Sequence, residues 1–304
     1  MHPRKRWLTL ARASEASNAG SRWAMRAPCA VGDVATLLAR LRAMAAGGAV
    51  ALGVDLPLGL PRDYARRHAT EADFPAFLRG LAQRPDFFRV CAALDEVAAA
   101  RPFYPLRGLA GMTRAAHAAA LGLDNAAGLS RACDRATSER PAGAPLFWTL
   151  GANQSGKAAL AAWRDLLLPA LAQADPPRLW PFEGDLRALL TPGAVAIAET
   201  YPAEAMRHLR LPRTGSKRRQ ADRARLAEPL RAAMARLGVC PEPALDAALA
   251  DGFGADEAGE DRFDSVVGAL CVVNVLAGHR PDGTPDDSWI RKWEGWVLGQ
   301  TALP

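Results

Sequence analysis

Cysteine and histidine are scarce and scattered in this 304-residue chain, which has five of each. No two cysteines form a Cys-x-x-Cys pair, and no two histidines have the His-x-x-x-His spacing that places two ligands on one helix face. These absences exclude a disulfide framework and a zinc centre of thiolates and imidazoles. A metal site in this chain is therefore expected to use oxygen ligands.

Long apolar runs are missing as well. The apolar runs that are present, such as residues 49–54 and 266–273, are far shorter than the roughly 18–20 residues that cross a bilayer. No apolar signal segment follows the basic N-terminus. We therefore expect no membrane partner and a cytoplasmic location. Lys and Arg number 38 against 32 Asp and Glu, a net charge of +6, which permits a nucleic-acid partner without requiring one.

The pattern of apolar residues predicts an α/β fold. Residues 6–11 and 21–27 are short alternating segments typical of a β-hairpin. Apolar residues then recur at helical spacing from Val31 to Met44 and predict an amphipathic helix. Residues 49–54 and 194–198 are continuous runs of small apolar residues, each followed by a carboxylate and then a proline, and they predict two buried strands.

Between these two strands, residues 62–193 are predicted to form a large helical insertion within a single domain of residues 1–304. The insertion is rich in Ala, Leu and Arg at mostly helical spacing and holds most of the aromatic residues, so it can bury a core of its own. Beyond it, residues 213–225 are basic. The acidic residues 251–264 lead into an apolar stripe that predicts a further helix.

Four carboxylates stand where metal chemistry is expected. Asp55 and Glu199 follow the two predicted strands, at the sheet edge where open α/β sheets bind ligands, and Asp261 and Asp264 lie in the first turn of the last predicted helix. Mg²⁺ and Mn²⁺ prefer oxygen ligands, and a pair of such ions can support cleavage of a phosphodiester. The four residues together predict a metal site in which they are both ligands and catalytic groups.

Each carboxylate also has a structural explanation. Asp55 can hold the turn that follows its strand, and Asp261 with Asp264 has the spacing of a helix cap and its third-residue partner. In the basic stretch, Lys217 and Arg218 are predicted to contact a phosphate because they stand at a predicted helix start. The alternative is that the basic stretch is a solvated helix face.

Residues 151–157, with the sequence GANQSGK, fit the Gly-x4-Gly-Lys part of a phosphate-binding loop. Three features argue against a P-loop NTPase: Ala158 stands where Ser or Thr would ligate Mg²⁺, residues 147–150 are a poor buried strand, and no apolar run ending in Asp follows at a suitable distance. Gln154 and Lys157 are still predicted to reach a substrate from the insertion.

Several segments, in this order along the chain, resemble domain-of-unknown-function family 429. They are residues 53–61 (GVDLPLGLP), 199–204 (ETYPAE), 216–218 (SKR), 259–268 (GEDRFDSVVG) and 294–296 (EGW), with residues 101–105 and 147–151 similar to a subgroup. The resemblance spans about residues 5–300. It implies a predicted nuclease of ribonuclease H-like fold, a mixed sheet flanked by helices.

In that architecture three antiparallel strands precede the first helix, and the first, central strand carries a metal-binding Asp. Here two strand candidates precede the helix, and residues 4–7 resemble the start of the second strand of the family. The first central strand and its Asp are therefore expected to be missing, through an incorrectly assigned start or a truncated copy. A sheet without its central strand has unpaired edges.

These observations predict a nuclease or phosphodiesterase that depends on Mg²⁺ or Mn²⁺ and acts on nucleic acid or another phosphodiester. Asp55, Glu199, Asp261 and Asp264 would hold the metal, and Lys217, Arg218, Gln154 and Lys157 would bind the substrate. The alternative is a catalytically impaired or non-catalytic module of the same fold that binds nucleic acid or a ligand.

Overall fold

The structure, a computed structural model, describes residues 6–14, 22–108, 111–151, 155–212 and 215–304. The fold is mixed α/β, and the chain forms two compact units. Unit 1 comprises residues 1–37, 52–55 and 200–282, and unit 2 comprises residues 38–51, 56–199 and 283–304. No helix in the described ranges is long and apolar enough to cross a membrane.

The strands are short and fall into three small sheets. In chain order they are β1 (Trp7–Leu8), β2 (Ala11–Ser14), β3 (Arg22–Met25), β4 (Cys29–Ala30), β5 (Val50–Val54), β6 (Arg178–Leu179), β7 (Val195–Glu199) and β8 (Val239–Pro241). Their orders are β1–β4, β2–β3–β8 and β5–β7–β6.

The α-helices are mostly short. They are α1 (Leu37–Ala45), α2 (Arg62–His68), α3 (Phe74–Gly80), α4 (Arg114–Ala120), α5 (Ser155–Ala162), α6 (Leu168–Leu171), α7 (Leu186–Leu189), α8 (Pro202–His208), α9 (Gln220–Ala224), α10 (Ala227–Arg236), α11 (Pro243–Asp251) and α12 (Gly259–Leu276).

Unit 1 contains the predicted hairpin. Strands β2 and β3 pair antiparallel with Ala11 opposite Met25, and β1 and β4 continue the same antiparallel arrangement with Trp7 opposite Ala30. Strand β8, which the sequence analysis did not predict, joins β3 in parallel. The predicted hairpin is present, but its strands extend beyond the predicted residues 6–11 and 21–27, to Ser14 on one side and to Ala30 on the other.

The first helix begins six residues later than predicted. Asp33 holds a turn ahead of it, because its carboxylate accepts a hydrogen bond from the backbone N–H of Ala35 at 3.0 Å and its carbonyl accepts one from the Thr36 hydroxyl at 3.2 Å. Aspartate favours such turns over a helix interior. The apolar residue Val31 therefore lies outside α1, which starts at Leu37.

Helix α12 is the centre of the apolar core of unit 1. Its residues Phe263, Val266, Val267 and Leu270 are fully buried, and they pack in one cluster with side chains of α8, α10 and α11. The helix starts at Gly259 and has no side-chain cap. The interpretation of Asp261 and Asp264 as a cap and its partner is therefore wrong, since they are the third and sixth residues of the helix.

Both predicted strands are present: β5, of which residues 50–51 belong to unit 2 and residues 52–54 to unit 1, and β7, which lies in unit 2. All five residues of β7 are buried, β6 pairs with β7 in parallel, and the Val50 N–H at the start of β5 donates to the Ala194 carbonyl at 2.9 Å. Residues 62–193 lie wholly in this unit. They consist of short helices and connecting segments, with β6 near their end.

Aromatic side chains form the core of this helical segment. Phe87 lies near the middle of a network of ring contacts, with Phe77, Phe103 and Phe147 edge-on to it and Trp163 stacked at 6.4 Å. All five side chains are buried. The predicted aromatic core is confirmed.

His117 of α4 is fully buried beside this core, and its charge state should make the stability of the fold depend on pH. Its Nε2 lies 2.8 Å from the Pro102 carbonyl, and burial lowers the pKa of His117 to about 4. In the unfolded chain a histidine has a pKa near 6.5. Between about pH 6.5 and 4 the unfolded chain therefore binds a proton that the folded chain does not, so stability should fall as the pH falls, by about 3 kcal/mol in all.

Urea denaturation of wild type and His117→Gln at pH 7.5 and 4.5 tests this expectation. The variant should lose less stability on acidification than the wild type. The exposed His279 supplies the control His279→Gln, which should show the wild-type loss. Equal losses in all three proteins would contradict the assignment of a buried neutral His117.

Candidate functional site

Helix α12 packs unusually closely against the end of β5 in unit 1. A Cβ built on Gly53 would lie 2.7 Å from Val272 Cγ2 and 2.9 Å from Thr200 Cγ2, so only glycine fits there. One turn earlier on the helix, a Cβ on Gly268 would lie 3.4 Å from the Thr200 hydroxyl. Asp264, Gly268 and Val272 are spaced four residues apart and share one face of α12. That face therefore points Asp264 towards the segment that follows β5, where Asp55 lies.

Lys217 forms the closest contact of Asp264. Its Nζ lies 2.7 Å from both Oδ1 and Oδ2 of Asp264, and both side chains are largely buried. Burial alone lowers the pKa of Lys217, but the charges of Asp264, Glu260 and Asp55 outweigh burial and raise it above its usual value. Lys217 is thus a charged ammonium group surrounded by carboxylates.

Several carboxylates lie around this lysine. Burial, with smaller contributions from the neighbouring carboxylates Glu260 and Asp261, raises the pKa of Asp264 to about 6 against the opposing effect of Lys217. Glu260 lies 3.9 Å from Lys217 Nζ and 3.9 Å from the exposed guanidinium of Arg218. Together these residues form a group called here the acidic cluster: Asp55, Lys217, Glu260, Asp261 and Asp264. Because Asp55 is exposed, the acidic cluster is open to solvent.

Lys217 and Arg218 lie in a turn just before α9, which begins at Gln220. The Ser216 N–H donates to Asp222 Oδ2 at 3.0 Å, and Gly215 has a φ of +81° beside the Asp222 carboxylate. Asp222 thus holds the segment that carries Lys217. Lys217 precedes the helix rather than starting it.

Glu199 has a different environment, in unit 2. Arg131, which is fully buried, donates from Nη1 to Glu199 Oε2 at 2.6 Å and from Nη2 to Oε1 at 2.7 Å. The Leu58 N–H donates to Oε2 at 2.7 Å. Burial raises the pKa of Glu199, which Arg131 opposes. Both oxygens of this predicted metal ligand therefore accept hydrogen bonds from the protein.

A possible metal-binding group was missed in the sequence. Cys133 Sγ, a carboxylate oxygen of Asp134 and one of Glu199 lie within 4.8 Å of one another. The same two carboxylates bind Arg131, whose Nε donates to Asp134 Oδ2 at 2.8 Å, and burial raises the pKa of the Cys133 thiol well above its usual value. The group is compatible with a metal, but its negative charge already has a cationic partner and its thiol is neutral.

Two predicted substrate contacts, Gln154 and Lys157, come from residues 151–157. Lys157 is exposed on α5 in unit 2. Gln154 lies outside the described residues.

Of the residues predicted from the sequence, Asp55 and Asp264 both lie close enough to Lys217 to raise its pKa. Glu260 and Arg131 were not predicted. Glu260 is one turn before Asp264 and was counted only as part of an acidic run; the spacing of four residues was the available signal. Arg131 had no such signal. It lies in an irregular segment 68 residues from Glu199, and an arginine is mostly exposed in proteins.

In three comparisons with known proteins, no protein-family model, no curated protein and no solved structure matches the chain.

Proposed function

We propose that this chain is a phosphodiesterase of ribonuclease H-like type that depends on Mg²⁺ or Mn²⁺ and cleaves nucleic acid. The observation that carries the proposal is the acidic cluster, in which Asp55 and Asp264 come together around Lys217. The two carboxylates are 209 positions apart in the sequence, and the charges of both act on Lys217. A partly buried cation among several acids, at a site open to solvent, suits a charged substrate and a metal ion.

The donor set of the acidic cluster fits a hard divalent cation. Carboxylate oxygens are the ligands that Mg²⁺ and Mn²⁺ prefer. An ionised aspartate offers about four lone-pair sites, of which Lys217 uses two on Asp264. A divalent ion would also offset the effects of burial and of the neighbouring carboxylates, which together raise the pKa of Asp264. Asp55, Asp261 and Asp264 are the residues that would hold it.

Each residue then has a defined task. A divalent ion would supply positive charge to the phosphodiester and lower the pKa of a water molecule. Lys217 is fixed by Asp264 and would contact a phosphate oxygen, as would the more exposed Arg218. Glu260 lies near both cations and would limit their movement. The exposed position of Asp55 would leave an open side for a polymer to enter.

Glu199 as a metal ligand remains a prediction without support from its contacts. Its two oxygens accept three hydrogen bonds, from Arg131 and from the Leu58 backbone. An ion that used Glu199 would have to compete with the Arg131 guanidinium. The ligand set proposed here therefore consists of carboxylates of the acidic cluster.

The ribonuclease H-like part of the proposal rests on the order of elements. The elements follow the order that the resemblance implies: the hairpin formed by strands β1 to β4, then helix α1, strand β5, a helical segment and strand β7. The first central strand that the resemblance also implies has no counterpart in the described part of the chain. The order of elements supports the relationship, and the small separate sheets show where the chain differs from that architecture.

Removal of one charge from the acidic cluster tests the proposal. We expect the wild type to cleave members of a DNA and RNA panel when Mg²⁺ or Mn²⁺ is present, and Asp264→Asn and Asp55→Asn to lose at least about 100-fold in rate, because the charge stabilisation by a catalytic metal amounts to several kcal/mol. Asn keeps the shape of Asp, so the thermal midpoint of Asp264→Asn should stay within about 3 °C of wild type.

The matched control is Asp246→Asn in α11 of the same unit. Asp246 is also an aspartate in an ion pair, 2.6 Å from Arg231, but it lies outside the acidic cluster. Asp246→Asn should cleave at the wild-type rate. Metal-dependent cleavage that survives in both Asp264→Asn and Asp55→Asn would show that the acidic cluster is not the catalytic site.

A non-catalytic binding module is the second candidate, favoured by one observation. The Lys217 ammonium already binds both oxygens of Asp264 and can serve as a permanent counterion. This candidate predicts no cleavage by the folded wild type and nucleic-acid binding that weakens steeply with salt. Binding of that kind that Lys217→Met weakens, without cleavage, would favour the binding module over the phosphodiesterase.

A further inference from the structure

Three successive residues with left-handed backbone follow α11 in unit 1. Gly252, Phe253 and Gly254 have φ values of 68°, 63° and 86°. Phe253 is an uncommon residue in this conformation, and it is held there by burial and by an edge-on contact with Phe263 at 5.8 Å. The segment thus keeps a backbone shape that most sequences avoid, and its carbonyl groups are all bound by side chains.

Arg223 of α9 binds two of these carbonyls and the backbone of Lys217. Its Nε donates to the Gly252 carbonyl at 2.8 Å, its Nη2 to the Gly254 carbonyl at 2.6 Å, and its Nη1 to the Lys217 carbonyl. Arg262 donates to the carbonyl between them, that of Phe253. One buried guanidinium therefore ties the turn that carries Lys217 to the segment that leads into α12.

The start of α12 is shaped to admit this guanidinium. A Cβ on Gly259, the first residue of the helix, would overlap Arg223 Nη2 and would lie 2.7 Å from the Gly254 carbonyl oxygen. Arg223 itself is 1% exposed. The three hydrogen-bond acceptors described above are all backbone carbonyls, although its charge lies close enough to Glu260 and Asp264 to interact with both.

From these contacts we infer that Arg223 is a positioning residue for Lys217. Its guanidinium fixes the backbone of Lys217 relative to the first turn of α12, and so sets the Lys217 ammonium against Asp264. The planar guanidinium suits this task because its N–H donors point in fixed directions and can bind several carbonyls at once. A lysine in its place would offer donors on one nitrogen atom only. The role in phosphodiester cleavage rests on the proposed function, but the placement of Lys217 does not.

The reactivity of Lys217 towards an amine reagent tests the placement directly. The chain has four lysines, so acetylation of each can be followed by peptide mass spectrometry. In wild type, Lys217 should react much more slowly than the exposed Lys157. In Arg223→Gln we expect Lys217 to react about tenfold faster, the effect of losing hydrogen bonds to its backbone, while Lys157 keeps its wild-type rate.

Two further variants make the result decisive. Gly259→Ala should displace the guanidinium by adding one methyl group and should speed the reaction of Lys217 in the same way. Arg236→Gln removes another arginine that donates to a backbone carbonyl, that of Leu209 at 2.8 Å, and should leave Lys217 at its wild-type rate. A wild-type rate at Lys217 in folded Arg223→Gln or folded Gly259→Ala overturns the inference. Loss of the fold in both variants overturns it too, since Arg223 would then support the unit as a whole.

Cleavage assays separate this inference from the proposed function. If the wild type cleaves, Arg223→Gln should lower kcat by up to about 100-fold, the cost of a small misplacement of a catalytic group, with a smaller change in KM. If the folded wild type does not cleave under any condition, the proposed function fails, while the labelling of Lys217 still decides whether Arg223 positions it.

Discussion

Arg131→Met should lower the free energy of unfolding by about 3–5 kcal/mol, the usual cost of removing one partner from a buried ion pair. Arg131 is fully buried. Its nitrogens donate to Glu199 at 2.6 and 2.7 Å and to Asp134 at 2.8 and 2.9 Å, and Nη1 also donates to the Leu58 carbonyl at 2.9 Å. Methionine fills much of the same volume but leaves Glu199 and Asp134 without their cation.

The surrounding contacts explain why the loss should be large. Next to Arg131, the Ala132 N–H donates to Glu294 Oε1 at 2.9 Å, and the other oxygen of Glu294 binds Arg62 at 3.0 Å. Arg131 thus lies where three segments of unit 2 meet: the end of β7, the segment 131–134 and the C-terminal segment that contains Glu294. The Arg131 guanidinium makes five such hydrogen bonds in a buried site. Replacing them with bonds to water would have a large cost in free energy.

Chemical denaturation of three variants measures this effect. Arg131→Met combined with Glu199→Met should recover part of the loss, since apolar side chains can replace a buried pair at little cost. The control is Arg89→Met, because Arg89 forms an exposed pair with Asp86 at 3.1 Å, and that change should cost less than about 1 kcal/mol. A similar small cost for Arg131→Met would mean that Glu199 does not depend on Arg131 and is free to bind a metal.

The contrast between Glu199 and Asp264 shows what local patterns in the sequence can establish. Residues at strand ends and helix faces follow from the spacing of apolar residues, so β5, β7 and α12 were predicted, and with them the positions of Asp55, Glu199 and Asp264. The spacing of apolar residues shows at which end of a strand a carboxylate lies. It does not show which cation, from a distant part of the chain, lies opposite that carboxylate.

Arg131 and Arg223 illustrate why the remainder was not predicted. Both are buried arginines in a chain with many exposed ones, and each also has partners far away in the sequence, at separations from 29 to 163 residues. Arg223 binds carbonyls whose orientation depends on a left-handed backbone at Phe253, a conformation that residue type alone does not indicate. Strands β6 and β8 were missed for a related reason, because two or three residues are too few to show a period.

Gly53→Ala should destabilise the chain by about 1–3 kcal/mol, as overpacking of a core usually does, although alanine is intrinsically better than glycine in a strand by about 0.5–1 kcal/mol. The added Cβ would lie 2.7 Å from Val272 Cγ2 and 2.9 Å from Thr200 Cγ2. Both neighbours are β-branched and cannot rotate away easily, so α12 must move from β5.

That movement should also reach the acidic cluster. Asp264 lies on the same face as Val272, about 12 Å further along the helix, and a rigid helix transmits a shift at one end to the other. If the chain has the proposed phosphodiesterase activity, cleavage should therefore fall by up to about 100-fold at a temperature where the variant is fully folded. Val272→Ala removes the closer of the two clashing methyl groups, so the double variant Gly53→Ala/Val272→Ala should regain part of the activity. Its loss of stability should be smaller than the sum of the losses in the two single variants. If Gly53→Ala is as stable and as active as wild type, close packing of α12 on β5 does not set the position of Asp264, and the convergence of Asp55 with Asp264 must have another cause.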